Sequence, residues 1–273
     1  MTGALPPLRE IIERYDLGAK KSLGQHFLLD LNITRKIARS AGIAPGDAVL
    51  EIGPGPGGLT RALLEAGAHV TAIERDSRCI EALGELAAHY PGKLKIAEGD
   101  ALTANERVLL GDGAPVKIAA NLPYNISTEL LIKWLKAGPA LWSVMALMFQ
   151  KEVADRILAA PGSKTYGRLS VIAQAASRPS RAFDLPARAF TPPPKVDSTV
   201  VLFAPPAAPL ENPGALERVT QAAFSQRRKM LRASLKSVFG ERLSDTLAAA
   251  GVRETQRAEE ISVTQFIELA AQL

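Results

Sequence analysis

Beyond residue 120 the chain reads Asn121-Leu122-Pro123-Tyr124-Asn125. At the end of a strand, such a run puts an amide, main-chain carbonyls and an aromatic face at the mouth of one cleft. Those groups suit chemistry on an exocyclic base nitrogen. An adenine N6 amine is conjugated with its ring and is a poor nucleophile. Acceptors that hold its hydrogens, the Asn121 side-chain oxygen and the Leu122 carbonyl, draw the nitrogen towards a tetrahedral shape with its lone pair free to attack. Tyr124 supplies a surface for a flipped base, and Pro123 fixes the turn that presents these groups. Taken alone, the run also suits a plain polar strand-to-loop turn.

A second stretch narrows the choice. In VLEIGPGPGGLT, residues 49–60, Gly53, Gly55 and Gly58 have the G-x-G-x-x-G spacing, and Glu74 follows 21 positions after Gly53. A carboxylate so placed accepts hydrogen bonds from ribose hydroxyls, which serves any adenosine-containing cofactor. A dinucleotide is one reading. Phosphate-binding turns, however, work through backbone N–H groups aimed at the anion. Pro54 and Pro56 have none, and Glu51 adds negative charge just upstream. S-adenosylmethionine fits better, because it joins adenine and ribose to a sulfonium cation and has no phosphate. Glycines still let the backbone approach it closely. Asp100, ending AEGD, can accept from the adenine amino group and reads equally well as a helix N-cap. Methyl transfer from a sulfonium is an in-line displacement, so positioning carries most of the catalysis and no strong base is required.

The elements needed to position these residues are legible in the pattern. Short apolar runs AVLEI (48–52), HVTAIE (69–74), LKIAEGD (94–100), VKIAANLP (116–123) and SVMALMF (143–149) alternate with LTRALLEAG, SRCIEALGELAAHY and TELLIKWLKAG. Strands alternating with helices predict a parallel sheet covered on both faces. Ligands bind such sheets beyond the carboxyl ends of the strands. QKEVADRILAA and LSVIAQAAS read as further helices, RAFDLPARAF holds a strand, and STVVLF is a β-branched run. APPAAPLENPGA (204–215) has the composition of a linker, and the remainder reads helical. The expected organisation is an α/β domain over 1–205, with an N-terminal extension, and a small all-α domain over 206–273.

Bulk properties exclude several classes. The chain of 273 residues is 47% hydrophobic and 22% charged, which suits a folded globular protein. Its one cysteine, Cys79, forbids an internal disulfide and fits a cytoplasmic setting. Cys79 itself reads as a small packed side chain. His26, His69 and His89 lack metal-ligand spacing, so no metal is expected. MTGALPPLRE has no signal-peptide core, and the longest apolar run, VMALMF, is too short for a bilayer. Residues 178–239 hold ten Lys/Arg against four Asp/Glu, although the whole chain is only +5. Arg228, Arg232 and Lys236 recur at i, i+4 and i+8, predicting one cationic helical stripe beside an apolar one of Phe224, Leu231, Leu235 and Val238. That stripe suits a nucleic-acid partner or the solvated face of a helical domain.

GQHFL (24–28), VLEIGPGPGGLT, AIERD, GDAL, NLPYNIST, FTPPPKVDS and FSQRRKMLRASL occur in this order along nearly the whole chain. Together they resemble the bacterial small-subunit (16S) ribosomal RNA adenine N6-dimethyltransferases. The resemblance implies a class I S-adenosylmethionine-dependent methyltransferase fold, Rossmann-like, with a seven-stranded mostly parallel sheet and an antiparallel last strand, which STVVLF resembles. It implies cofactor contacts at His26, Leu28, Gly53, Gly55, Glu74, Asp100 and Asn121. It implies methyl transfer at Asn121, Leu122, Pro123 and Tyr124, with Phe190 as a second aromatic sandwiching the base. From sequence alone Phe190 reads as core. Arg227, Arg228, Lys229, Arg232 and Lys236 become RNA-binding candidates. The implied reaction places two methyls on each of two adjacent adenosines in the 3′-terminal hairpin loop of a partly assembled subunit, by a monomeric enzyme. Ala233 departs from the family, which usually has asparagine there. The alternatives are a large-subunit rRNA resistance dimethyltransferase, an NAD-dependent oxidoreductase, and an assembly factor with secondary catalysis.

Overall fold

The computed structural model describes residues 5–18, 25–111, 113–226 and 228–273. Its strands are β1 (Phe27–Leu28), β2 (Ala48–Ile52), β3 (His69–Glu74), β4 (Leu94–Glu98), β5 (Val116–Asn121), β6 (Trp142–Gln150), β7 (Arg178–Leu185), β8 (Phe190–Thr191) and β9 (Ser198–Ala204). Seven of them form one sheet in the order β4-β3-β2-β5-β6-β9-β7. Pairing is parallel from β4 through to β6, and β9 runs antiparallel to β6. STVVLF therefore forms the antiparallel strand, as expected. Val49, Leu50, Glu51 and Ile52 of β2 are all buried, which is the signature of a central strand covered on both faces.

The helices are α1 (Leu8–Arg14), α2 (Leu31–Ser40), α3 (Gly58–Glu65), α4 (Ser77–His89), α5 (Glu106–Leu110), α6 (Ser127–Ala137), α7 (Lys151–Ile157), α8 (Arg168–Ala176), α9 (Pro213–Phe224), α10 (Leu231–Ser234), α11 (Lys236–Phe239), α12 (Leu243–Ala249) and α13 (Val263–Ala270). Local chemistry sets many of their starts. Asp30 caps α2 by accepting from Asn32 N at 2.8 Å. Asn212 caps α9 just before Pro213, a residue suited to the first helical position. Ser262 and Gln265 form a reciprocal capping box on α13.

Contacts divide the chain into two compact units, Met1–Lys151 with Arg181–Phe203, and Glu152–Ser180 with Ala204–Leu273. The second unit is thus assembled from two stretches of sequence. Helices α7 and α8, read from sequence as part of the α/β domain, supply the second unit instead: Val171 and Ala175 join Val219, Phe266 and Leu269 in its core. Inside the first unit, β2 leads through α3 to β3 and β4 on one side, and the chain then returns to β5 on the other. The crevice between β2 and β5 is the switch point, where open α/β sheets bind ligands.

The amphipathic N-terminal stretch packs on α3 and α4. Ile11 and Leu17 are buried with Cys79 and Ala82, and Arg61 Nη1 donates to Pro6 O at 2.6 Å. None of residues 5–18 lines the crevice. Among the described residues, no helix is long and apolar enough to cross a membrane.

Candidate active site

Glycine and carboxylate chemistry build the floor of the crevice. Gly53, Gly55 and Gly57 have φ of 63°, 55° and 89°, left-handed values that favour glycine. The loop spends its backbone donors internally. Gly53 N donates to Ile73 O at 2.9 Å and Gly57 N to Pro54 O at 3.0 Å. Gly55 N donates to Glu74 Oε2 at 3.0 Å. Pro54 and Pro56 have no N–H to offer. From Gly53 to Gly57, no donor remains to hold a pyrophosphate.

Glu74, at the end of β3, is buried and organises the loop. Its other oxygen accepts from Arg75 N at 2.7 Å and Asp76 N at 2.9 Å. Asp100 lies just past β4, where Oδ1 accepts from Leu102 N at 2.9 Å and Oδ2 from Arg75 Nη1 at 3.2 Å. Asp100 thus caps a turn and not a helix, since α5 is capped by Asn105, and it lines the crevice. Arg75 also lines it. Sequence reasoning passed over this residue because an exposed arginine after a strand has no signature of its own.

Glu51 is a third carboxyl in the crevice wall. It is 1% exposed, and its Oε2 has no hydrogen-bond partner. Burial, reinforced by the Glu74 charge and partly offset by Thr60, pushes its pKa up to about 8. A folded-state value above the unfolded one means folding takes up a proton. The associated stability is complete below about pH 4.5 and is lost as pH rises through 8. Glu51→Gln is therefore expected to melt with the wild type near pH 5 and about 5 °C above it at pH 9. Thermal melts across that range check this; a gap that stays constant with pH would refute it.

Register places the reacting end opposite this floor. Glu51 pairs with Ala119, so Gly53 and Asn121, each two residues further on, flank one crevice. Asn121 Nδ2 donates to His26 O at 2.8 Å. The amide is thereby oriented, and its Oδ1 is left as the acceptor. Pro123 O accepts from Ile126 N at 3.2 Å, and Ser127 Oγ donates to Tyr124 O at 3.1 Å, so the turn is locked into the start of α6. The Tyr124 hydroxyl bonds Ser198 Oγ at 2.7 Å, and burial raises its pKa.

The remaining wall comes from a two-stranded ribbon not foreseen from sequence. Antiparallel pairing of β1 with β8 sets Phe27 opposite Thr191 and Leu28 opposite Phe190. His26 and Leu28 line the crevice with Gly53, Gly55, Asn121 and Tyr124. A Cβ on Gly55 would lie 3.0 Å from the Phe27 ring, and one on Gly58 only 2.5 Å from Leu28 O. Gly58→Ala is expected to push β1 off α3, costing about 2 kcal/mol and weakening cofactor binding at least tenfold. Calorimetric titration and chemical denaturation read both effects; wild-type values for the alanine variant would refute the fit.

Phe190 does not join the site. It is 2% exposed and packs in the core with Leu28, Leu185 and Val200. Its place opposite Leu28 in the ribbon explains why, since a strand residue pairing with a buried neighbour is itself enclosed. The ring that faces Tyr124 is His26, with centroids 5.4 Å apart and planes at 28°.

The cationic stripe is also revised. Residues 228–239 form no continuous helix. Met230 is extended and bridges Arg257, and α10 and α11 have four residues each. Backbone bonds from Leu231 N to Gln256 O at 2.8 Å and Arg232 N to Glu254 O at 3.2 Å impose the break. Arg228, Lys229, Arg232 and Lys236 are nevertheless exposed, and among the described residues none forms an ion pair. Arg227 lies outside the described residues. Leu231 and Leu235 are fully buried, with Phe224 and Val238 packed against them.

Cofactor fit follows from the loop and the carboxyl groups. In the glycine loop a phosphate would meet no free backbone donor, and three carboxyl groups line the crevice, whereas a cation gains Glu51, and an uncharged ribose and adenine suit Glu74 and Asp100. With β9 set antiparallel into a mostly parallel seven-stranded sheet, the molecule is a class I S-adenosylmethionine-dependent methyltransferase. Comparison with known proteins narrows the class. The family model for ribosomal RNA adenine dimethylase matches residues 17–273, and the chain belongs to that family. It is 59% identical over 273 residues to ribosomal RNA small subunit methyltransferase A of Chelativorans sp. (strain BNC1), covering 98% of each chain. To the protein of that name from Brucella canis it is 57% identical over 270 residues, covering 98% of this chain and 97% of the other. Among solved structures, a dimethyladenosine transferase from Plasmodium falciparum superposes with a TM-score of 0.75 at 28% identity, covering 89% of this chain and 96% of that one. The 23S rRNA methyltransferase ErmE superposes at 0.68 and 26% identity, covering 90% and 99%.

Proposed function

We propose that this enzyme dimethylates N6 of two adjacent adenosines in the 3′-terminal hairpin loop of small-subunit (16S) rRNA, acting as a cytoplasmic monomer on a partly assembled subunit. The observation that carries the chemistry is the Asn121 amide, oriented by His26 O so that Oδ1 accepts. The small-subunit target is supported by full-length relatives of that name at 57–59% identity.

S-adenosylmethionine, when bound, supplies a methyl group on a sulfonium that departs as a neutral thioether. His26, Leu28, Gly53, Gly55, Glu74, Asp100 and Asn121 would hold it. Glu74 receives the ribose hydroxyls and Asp100 the adenine amine. Glu51 gives up its proton beside the positive charge. Asn121 Oδ1 and the Leu122 carbonyl take the N6 hydrogens, Tyr124 stacks on the base, and Pro123 fixes their turn. With the cofactor bound, N6 would take the methyl group as the thioether leaves, and the displaced N6 proton would pass to solvent.

Arg228, Lys229, Arg232 and Lys236 neutralise RNA phosphates, and Arg227 falls in the same basic run. Replacing Arg232 and Lys236 together by alanine is expected to lower the slope of log affinity against log salt by about two. Filter binding at several salt concentrations measures it, and an unchanged slope would remove these residues from the interface. The function itself is tested by offering immature small subunits and naked large-subunit rRNA side by side, with mass mapping of methylated adenosines. Dimethyladenosine on the small-subunit RNA is expected. Product on large-subunit RNA alone would overturn the assignment.

A further inference from the structure

One lysine behind the crevice reaches the turn that follows Asp100. Asp100, Ala101 and Leu102 line the crevice, and Lys133 does not. The turn closes on itself: Asp100 O accepts from Thr103 N at 3.1 Å and from Ala104 N at 2.9 Å, and Asp100 Oδ1 accepts from Leu102 N at 2.9 Å. From α6, Lys133 Nζ donates to Ala101 O at 2.9 Å and to Ala104 O at 2.6 Å. Its third partner is Glu106 Oε1, also at 2.9 Å. The three protons of the ammonium thus meet three acceptors.

Behind the lysine the network is fixed. Glu106 is buried, and the same oxygen accepts from Nε1 of the fully enclosed Trp134 at 2.8 Å. In front of it the Asp100 carboxylate has little else to hold it. Apart from Leu102 N, its recorded partner is Arg75 at 3.2 Å, whose side chain is 68% exposed, and such a contact is screened by solvent. The Ala101 carbonyl belongs to the residue next to Asp100, so a shift there moves the carboxylate. Helix α6 also starts at the reacting turn, where Ser127 Oγ donates to Tyr124 O. Lys133 lies six residues further on, about 9 Å along the axis. One helix therefore serves the reacting turn at its start and the Asp100 turn at Lys133.

We propose that Lys133 is a positioning residue for cofactor recognition: by holding the Ala101 and Ala104 carbonyls it sets Asp100 against the adenine amine and makes the site selective for adenine. This rests on the role of Asp100 in the proposed function and extends it to a side chain outside the crevice. The Glu106 ion pair supplies stability, and the two carbonyl contacts supply the selectivity.

The test titrates the full-length protein calorimetrically with S-adenosylhomocysteine, the thioether product, and with S-inosylhomocysteine, in which an oxygen replaces the adenine amine. Lys133→Met keeps the apolar stem and loses the donors. Glu106→Gln keeps an oxygen for Lys133 and Trp134 and loses the charge. The double variant leaves no unpaired buried carboxylate, and it stands in for Lys133→Met if the single variant does not fold. Melting curves set a temperature at which each protein tested is folded. The wild type is expected to prefer the adenine ligand by at least about tenfold. Lys133→Met, alone or with Glu106→Gln, is expected to bind that ligand about tenfold more weakly and the inosine ligand within about twofold of the wild type, so the preference collapses. In turnover the cofactor KM is expected to rise about tenfold with kcat within about threefold, because the Asn121 turn keeps its own bonds. Glu106→Gln is expected to melt earlier and to keep the preference. The proposal is overturned if Lys133→Met retains the wild-type preference, or if it loses both ligands equally, as a general loosening would produce. It is overturned too if Glu106→Gln loses the preference as fully as the lysine variant. A wild type that binds both ligands alike overturns the adenine role of Asp100 and that of Lys133 with it, whereas a discriminating wild type beside an equally discriminating Lys133→Met overturns the role of Lys133 alone.

Discussion

Asn121→Ala is expected to cut methyl transfer by about a thousandfold, near 4 kcal/mol of barrier, while RNA binding is kept and cofactor affinity changes only a few fold. The reasoning is local. The amide has one oxygen for the N6 hydrogens, and that oxygen is presented because Nδ2 is held by His26 O. Asn121→Asp separates acceptor from orienter. It keeps an oxygen for N6 but sets a second one against the His26 carbonyl, where two acceptors repel. We expect it to fail almost as badly as alanine. Single-turnover methylation with saturating RNA isolates the chemical step. Unchanged turnover in the alanine variant would remove Asn121 from the mechanism, and full activity in the aspartate variant would remove the orienting role of His26 O.

The second large effect is expected at Glu74. One carboxylate there accepts from Gly55, Arg75 and Asp76, so it shapes the glycine loop as well as meeting the ribose. Removing it in Glu74→Ala leaves three backbone donors without their acceptor. The expected cost is about 3 kcal/mol of stability, a fall of about 6–12 °C in melting temperature, and at least a hundredfold loss of cofactor affinity. Glu74→Gln keeps one oxygen but turns an NH2 towards backbone donors, so it is expected to fall between the two. Differential scanning calorimetry and isothermal titration measure both quantities. An alanine variant that melts like the wild type yet fails to bind cofactor would show that the carboxylate serves the ribose only.

How much was legible differs by element. β2 and β3 coincide with AVLEI and HVTAIE because central parallel strands are apolar on both faces. The glycine loop, Glu74 and the Asn121 turn were legible because spacing and strand ends carry the signal. The β1–β8 ribbon was not, because two-residue strands have no periodicity and their partners lie far apart in sequence. The same ribbon decides Phe190, which reads as core from its own neighbourhood and as a base-stacking group only by resemblance. The continuous helix expected over 227–239 fails for a tertiary reason, since Met230 and Leu231 spend their backbone on residues 256–257. Helices α7 and α8 were legible as helices. Their membership of the second unit was not, because amphipathic pattern tells that a face is buried and not against what.

The β1–β8 ribbon also sets an order on synthesis. The residues of β1 leave the ribosome early, together with the glycine loop they must cover. Their partner, β8, is made only after six strands of the main sheet and part of the other unit. A nascent chain halted before residue 190 therefore has a floor for the cofactor and no clasp to secure the wall above it. The distant pair that closes the wall is thus made after most of the sheet and before its antiparallel strand β9, so the cofactor wall and the last of the sheet scaffold are completed together, late in synthesis.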